Sequence, residues 1–162
     1  MLIIGVYGPP GQDETANKQF FEDEVFSILD NTTYDKVIIV GDWNVFLDPQ
    51  LDQIKHVDPT NYRAKTRELI KSKRTVHSLI DIYRGEKLQK KEYTYLDKTG
   101  AKQPSIINYF LVDQETAAHT NNAKIKNICT PFEHSQITIE IYFDKVLRGP
   151  GYWKLNNSHI KN

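Results

Sequence analysis

An acid and an amide two residues apart follow a run of β-branched residues, and this segment is the best suited to chemistry. The run is Val37 to Val40, followed by Gly41, Asp42 and, two positions later, Asn44. A carboxylate and a carboxamide at the carboxyl end of a strand are well placed to meet a phosphate, a water or a metal. An Asx turn, in which Asp42 accepts a hydrogen bond from its own backbone, is an equally good interpretation.

The elements that must position this pair alternate between strand and helix. Leu2–Tyr7 is predicted as a buried strand, and Asp13 or Thr15 caps a helix that ends near residues 30–31. The apolar run at 37–40 predicts a strand buried on both faces, with Gly41 turning the backbone at its end. A second helix is predicted over residues 62–80. Strand-like segments follow at residues 92–96, 106–112, 123–130 and 136–143, so the chain is predicted to be one α/β or α+β unit.

Composition excludes several classes of protein. The 162 residues are 39% hydrophobic and 26% charged, which suits a single globular domain rather than a disordered tail. Basic and acidic residues balance at 21 each, so net charge indicates no partner. No apolar run reaches membrane-spanning length, and no leader peptide opens the sequence. With Cys129 as the single cysteine, predicted to be a core residue, we expect an intracellular protein, cytoplasmic or nuclear and not secreted.

Several motifs become specific when they are taken in order along the chain. They are Tyr7 in VYGPP, Asp42 and Asn44 in GDWN, LIDIYR at 79–84, YTY at 93–95, SIINYFLV at 105–112 and His134 in FEHSQITI. This order resembles the endonuclease/exonuclease/phosphatase superfamily. RGPGYWKLNNS at 148–158 resembles the segment after the apurinic-type endonuclease domain of LINE-type (non-LTR) retrotransposons. The resemblance implies an endonuclease-like domain at residues 1–147 and an exit segment at 148–162 toward a reverse transcriptase.

The resemblance also implies a fold, a cofactor and a reaction. The fold is a four-layer α/β/β/α sandwich, partial in this chain, and the reaction is Mg²⁺-dependent hydrolysis of a DNA phosphodiester. Asp42 would orient or deprotonate the attacking water, and Asn44 would donate its amide hydrogens to the phosphate. Tyr7 would hydrogen-bond the same phosphate, and His134 would place a proton donor against its oxygen.

Three departures from the family pattern predict impaired activity. Asn108 stands where the family has the aspartate that orients the histidine, and it carries no charge to support an imidazolium. Glu133 replaces the aspartate before the histidine, and this longer side chain is the expected Mg²⁺ ligand in the chain. The family's asparagine and glutamate ligands come from strands before VYGPP. We expect a truncated, degenerate copy with an unpaired sheet edge and poor solubility.

Further side chains have two interpretations each. Lys71, Lys73 and Arg74 lie in a locally basic helix that could contact DNA, or they form an ordinary solvated face. Asp81 matches a family position near the site, or it pairs locally with Arg84. The sequence therefore leaves three functions open: a nuclease, a non-catalytic DNA-binding remnant, and a phosphatase or phosphodiesterase of small molecules.

Overall fold

The computed structural model describes residues 1–11, 13–54, 63–99, 103–126 and 133–142. The strands are β1 (Leu2–Tyr7), β2 (Val37–Asp42), β3 (Ile80–Asp81), β4 (Asn108–Val112), β5 (Thr120–Lys126) and β6 (Gln136–Ile141). The helices are α1 (Glu14–Phe20), α2 (Ser27–Asn31), α3 (Ala64–Val76), α4 (Ile82–Glu86) and α5 (Gln114–Ala118), with a π-helical segment (Phe21–Phe26) joining α1 to α2. The predicted mixed α/β fold is confirmed, and its strands form two sheets.

The larger sheet has the strand order β1-β2-β4-β3. β1 runs parallel to β2, and β4 runs antiparallel to both β2 and β3. The register aligns Tyr7 with Asp42 and Asp42 with Asn108. Because directly paired residues point to the same face of a sheet, these three side chains form one row across three strands.

Helices cover the other face of this sheet. Ile4 and Val6 of β1 are buried there, in a core whose helical members are Phe21, Val25, Phe26, Leu29 and Ile70. Trp43 lies at the centre, fully buried, with its ring stacked on Phe21 at 5.7 Å and on Tyr109 at 4.9 Å between ring centroids. Of the two predicted caps of the first helix, Asp13 and Thr15, the structure has Asp13, whose carboxylate accepts hydrogen bonds from the N–H groups of Thr15 and Ala16.

The smaller sheet is the antiparallel pair β5 and β6, which packs beside β4 and α4. Ala123 of β5 is buried within the main core cluster. His134 lies two residues before β6, so this hairpin brings a second part of the chain to the row of Tyr7, Asp42 and Asn108. The functional site therefore depends on how the two sheets dock.

Gly41 does not turn the chain as the sequence suggested. It lies inside β2 with φ at 153°, and a Cβ there would stand 1.9 Å from the Val6 carbonyl oxygen. Glycine is needed because β1 and β2 approach too closely for a side chain. The strand consequently continues one residue further, to Asp42.

Three predicted segments differ in the structure. The second helix ends at Val76, because Ser78 adopts a left-handed conformation (φ 52°) and Leu79 then leads into β3. Residues 92–96 form no strand, since their backbone makes isolated bridges to two separate segments, at Ser105 and at His134. β5 starts at Thr120, earlier than predicted.

Cys129 and residues 148–162 lie outside the described residues. Within the described part of the chain, no helix is long and apolar enough to cross a membrane.

The prediction that β1 is a buried strand is wrong for one of its faces. Within the described residues, β1 pairs only with β2 and therefore forms an edge of the sheet. Ile3 is 60% exposed and Tyr7 is 70% exposed, both on the face away from the helices. The strand carries no charged side chain, and an apolar, uncharged sheet edge is a site of intermolecular pairing.

We expect Ile3→Lys to reduce self-association of this chain, because a lysine on an edge strand opposes pairing with a second edge. Light scattering over a concentration series measures the effect. Val76→Lys is the matched control, since Val76 is similarly exposed, at 69%, but lies at the end of α3. A chain that stays monomeric at every concentration and melts sharply and reversibly would contradict the expectation.

Candidate active site

The Asp42–Asn44 turn is built from the end of β2 and fixed by two hydrogen bonds of Asn44. The Asn44 N–H donates to Asp42 Oδ1 at 2.9 Å, which is the Asx turn, and Asn44 adopts a left-handed conformation (φ 52°). The Asn44 Nδ2 donates to the Gly8 carbonyl at 2.8 Å, tying the turn to the loop after β1. The Asx turn and a functional site coexist, because Asp42 Oδ2 takes no part in this turn.

Asp42 Oδ2 faces the ring of His134, with 3.9 Å between the oxygen and Nε2. Burial raises the pKa of the Asp42 carboxyl, and the Asn44 N–H, His134 and Arg63 act against that rise. A carboxylate with a raised pKa is a better proton acceptor near neutral pH. The Asp42 side chain is 13% exposed and the His134 side chain 42% exposed, so the pair opens to solvent on the imidazole side.

A hydrogen bond to Asn108 orients the ring of His134. The distance between His134 Nδ1 and Asn108 Oδ1 is 3.0 Å, and as the amide is placed its oxygen accepts the Nδ1 proton. Nε2 of a neutral imidazole is then left without a proton, facing Asp42. The Asp42 carboxylate, the His134 imidazole and the Asn108 amide therefore lie in this order. Because the Asn108 amide carries no charge, it does not stabilise a protonated His134 ring.

Thr94 positions this group, and no prediction from the sequence included it. Thr94 is fully buried, and its hydroxyl accepts hydrogen bonds from the N–H groups of Ile107 at 2.9 Å and Asn108 at 3.0 Å. Its carbonyl accepts from the N–H of Ser135 at 2.7 Å. One residue therefore joins the segment that carries Asn108 to the segment that carries His134. The only sequence signal was its place in YTY, which we interpreted as an alternating strand.

Tyr95 flanks His134 on one side. The two rings meet edge to face with centroids 5.1 Å apart, and the Tyr95 hydroxyl donates to Glu133 Oε2 at 3.3 Å. The predicted metal ligand Glu133 thus has a hydroxyl partner.

Several solved structures have a similar arrangement of strands and helices. An AP endonuclease from Archaeoglobus fulgidus matches with a TM-score of 0.74 and 16% identity over 86% of this chain and 61% of that one. A 3′ phosphatase, NExo, from Neisseria bound to product DNA matches with a TM-score of 0.72 and 20% identity over 87% and 61%. The catalytic domain of Xenopus laevis APE2 matches with a TM-score of 0.65 and 21% identity over 89% and 52%.

This chain has the DNase I-like fold. It spans about three-fifths of the length of the first two structures. By sequence alone, no protein-family model matches it, and no curated protein matches it either.

The described residues do not complete a metal centre within this DNase I-like fold. They contain no group of three or more His, Cys, Asp or Glu side chains arranged to hold a metal ion. Mg²⁺ needs near-octahedral oxygen ligands, usually one or two carboxylates with waters and substrate phosphates. Asp42 faces His134, and Glu133 accepts from the Tyr95 hydroxyl, and the described residues bring no third ligand of these types to them. No chemical step is therefore assigned to a metal.

The structure brings together five of the residues predicted for catalysis and leaves the three basic residues apart. Tyr7, Asp42, Asn44, Asn108 and His134 lie around the carboxyl end of β2. Tyr7 lies beside Asp42 with its side chain 70% exposed. The roles given to these residues stay predictions.

The basic residues predicted to contact DNA lie toward the end of α3, away from the turn at Asn44. Lys71 Nζ pairs with Glu68 at 3.1 Å, and Lys73 Nζ pairs with Asp30 at 2.6 Å. Arg74 is half-buried, and its positive charge acts to lower the pKa of Asp81. Lys71 and Lys73 thus have acidic partners, and a DNA contact at these three residues stays a prediction.

Asp81 does not pair with the Arg84 side chain. Its carboxylate accepts the backbone N–H of Arg84 at 3.1 Å and so caps α4, while the Arg84 guanidinium pairs with Asp52 at 2.6 Å. Burial raises the pKa of Asp81 to about 6. The motif LIDIYR therefore contributes an N-cap and one half of a buried ion pair.

Proposed function

We propose that this chain binds a DNA phosphodiester at the site formed by Asp42, Asn44, Asn108 and His134, and hydrolyses it slowly. The observation that carries the proposal is the placement of the Asp42 carboxylate 3.9 Å from an imidazole that is itself oriented by Asn108. The sequence motifs and the DNase I-like fold support the same substrate class. The enzymes with similar structures are a 3′ phosphatase bound to DNA and AP endonucleases.

The proposed reaction uses Asp42 as the base. Asp42 Oδ2 takes a proton from water, and the water oxygen forms a bond to phosphorus while the bond from phosphorus to the 3′ oxygen breaks. The leaving oxygen takes a proton from solvent, so the products are a 5′-phosphate and a 3′-hydroxyl. The Asn44 side chain has a second Nδ2 hydrogen beside the one that it donates to Gly8, and His134 donates from Nε2 in its protonated form. Donors of this kind stabilise the charge added to the phosphate oxygens.

Binding of Mg²⁺ and the LINE-type origin are part of this proposal, and the reaction written above assigns no step to the metal. Glu133 is the residue expected to contact a divalent cation, and calorimetry with Mg²⁺ tests that contact. The origin rests on motif order and on RGPGYWKLNNS at residues 148–158, which lie outside the described part of the chain.

Nicking of supercoiled plasmid in Mg²⁺ tests the function. We expect slow conversion to the open circle that Asp42→Ala abolishes, because the variant lacks the proton acceptor. Asp35→Ala is the matched control, since Asp35 is an exposed acid before β2, at the other end of the strand. Equal rates for wild type and Asp42→Ala would show a contaminating nuclease and reject the proposal. Turnover of small phosphate esters but not of plasmid would favour the phosphatase alternative.

A non-catalytic DNA-binding role is the second candidate, and the uncharged Asn108 favours it. If α3 contacts DNA, changing Lys71, Lys73 and Arg74 to glutamine should lower the slope of log affinity against log salt by about 0.9 for each phosphate that the variant no longer neutralises. Fluorescence anisotropy with a labelled duplex measures this slope. Three exposed lysines elsewhere serve as the control set: Lys91, Lys124 and Lys126. The same slope in both triple variants would place the DNA-binding surface elsewhere.

A further inference from the structure

Arg63 is a buried arginine in a backbone conformation that arginine seldom adopts. It precedes α3 with φ 51° and ψ 36°, the left-handed region, and only 4% of it is exposed. A residue with a Cβ occupies this region at a cost, and such conformations persist where the surrounding contacts impose them. The contacts of the Arg63 side chain identify what imposes it.

The Arg63 guanidinium joins the two loops that form the site. Nη1 donates to the Asn44 carbonyl oxygen, and Nη2 donates to the Gly11 carbonyl oxygen, both at 2.7 Å. The Gly11 carbonyl also accepts from Nδ2 of Asn17, at 2.9 Å, and Asn17 is almost fully buried in α1. The planar fork of arginine suits two fixed acceptors, whereas a lysine ammonium has no such geometry.

The Asn44 end of this link leads directly to Asp42. Asn44 has a left-handed backbone conformation. Its N–H donates to Asp42 Oδ1, and its side-chain Nδ2 donates to the Gly8 carbonyl oxygen. Fixing the Asn44 carbonyl therefore fixes the peptide orientation on which the Asp42 turn depends. It also places a permanent positive charge near the position expected for a phosphate.

We propose that Arg63 is a positioning residue: its guanidinium fork locks the loop after β1 and the Asn44 turn into the geometry that directs Asp42 and Asn44 at a phosphodiester. This inference rests on the proposed function and deepens it. The sequence did not indicate this role, because nothing in the local pattern around Arg63 shows that its side chain turns inward.

Arg63→Gly separates the side chain from the backbone, because glycine accepts the left-handed conformation that arginine adopts under constraint. We expect kcat for nicking to fall about 10- to 100-fold, as for a small misplacement of catalytic groups, with KM little changed. Ethylguanidinium at non-denaturing concentration should restore part of kcat, and ethylammonium should not. Arg67→Met is the control for losing a buried arginine from the same helix; it should lower the melting temperature and leave kcat unchanged.

Amide hydrogen exchange tests the positioning role of Arg63 without relying on nicking activity. In Arg63→Gly the amide of Asn44 should exchange faster, while that of Ile39 in the middle of β2 should not. If wild type never nicks DNA but the Asn44 amide responds in this way, the proposed nuclease activity fails and the positioning role stands. Unchanged exchange at Asn44, a retained kcat, or equal rescue by ethylammonium would each overturn the role of the Arg63 fork.

Discussion

Asn108→Asp should raise the rate of plasmid nicking by about 10²- to 10⁴-fold. Asn108 lies 3.0 Å from Nδ1 of His134, in the position from which a carboxylate would orient the ring and stabilise its protonated form. A carboxylate accepts the Nδ1 proton and favours an imidazolium, which can then donate from Nε2 to a phosphate oxygen. In serine proteases the reverse change, aspartate to asparagine behind the histidine, lowers turnover by about 10⁴-fold with the geometry intact.

The melting temperature, measured beside the rate, separates this effect from a general gain in stability. Asn31→Asp is the control, because it adds the same charge at an exposed position at the end of α2. If nicking by Asn108→Asp equals that of wild type at every pH, His134 does not act as a charged donor, and the proposed chemistry is wrong.

Arg84→Met should destabilise the fold by about 3–5 kcal/mol, the range for removing one partner of a buried ion pair. Asp52 is 2% exposed, and its Oδ1 accepts from Arg84 Nε at 3.0 Å and Nη2 at 2.6 Å. Without Arg84 the charge on Asp52 stays buried with no cation paired to Oδ1, while Oδ2 keeps the backbone N–H groups of Leu47 and Asp48. Burial already raises the pKa of Asp52 against the pull of Arg84.

Urea unfolding followed by circular dichroism measures the loss of stability. The double variant Asp52→Asn with Arg84→Met should recover part of it, because removing both charges leaves no buried ion without a counter-ion. A loss below about 1 kcal/mol for Arg84→Met would mean that the pair behaves like a solvent-exposed one. The site should respond as well, since the Asp52 carbonyl accepts the Ile106 N–H two residues before Asn108.

The sequence predicted the elements whose own residues determine them. Val37–Asp42 is a strand because β-branched residues fill it, and α1 begins where Asp13 caps it. The sequence also predicted that Asp42, Asn44 and His134 would meet, through the order of motifs rather than through any local pattern. The roles assigned to these residues await the variants described above.

Features that depend on contacts between distant segments could not be predicted from the sequence. Residues 92–96 have the alternation of a strand, yet Tyr95 forms only isolated bridges, to Ser105 and to His134. The Arg63 side chain donates to carbonyl groups of loops 19 and 52 residues away in the chain. Local propensity is overridden wherever a segment has fixed partners of this kind.

The site is divided between two parts of the fold that could separate without unfolding either one. Asp42 ends a strand of the larger sheet and Asn44 follows it, whereas His134 precedes β6 of the smaller sheet. A chain in which the hairpin has moved away from the larger sheet would keep Asp42 beside Asn44 but lose the contact with His134. A ligand that contacts both parts would bind only the docked form, and it would stabilise that form by an amount set by its free concentration relative to Kd.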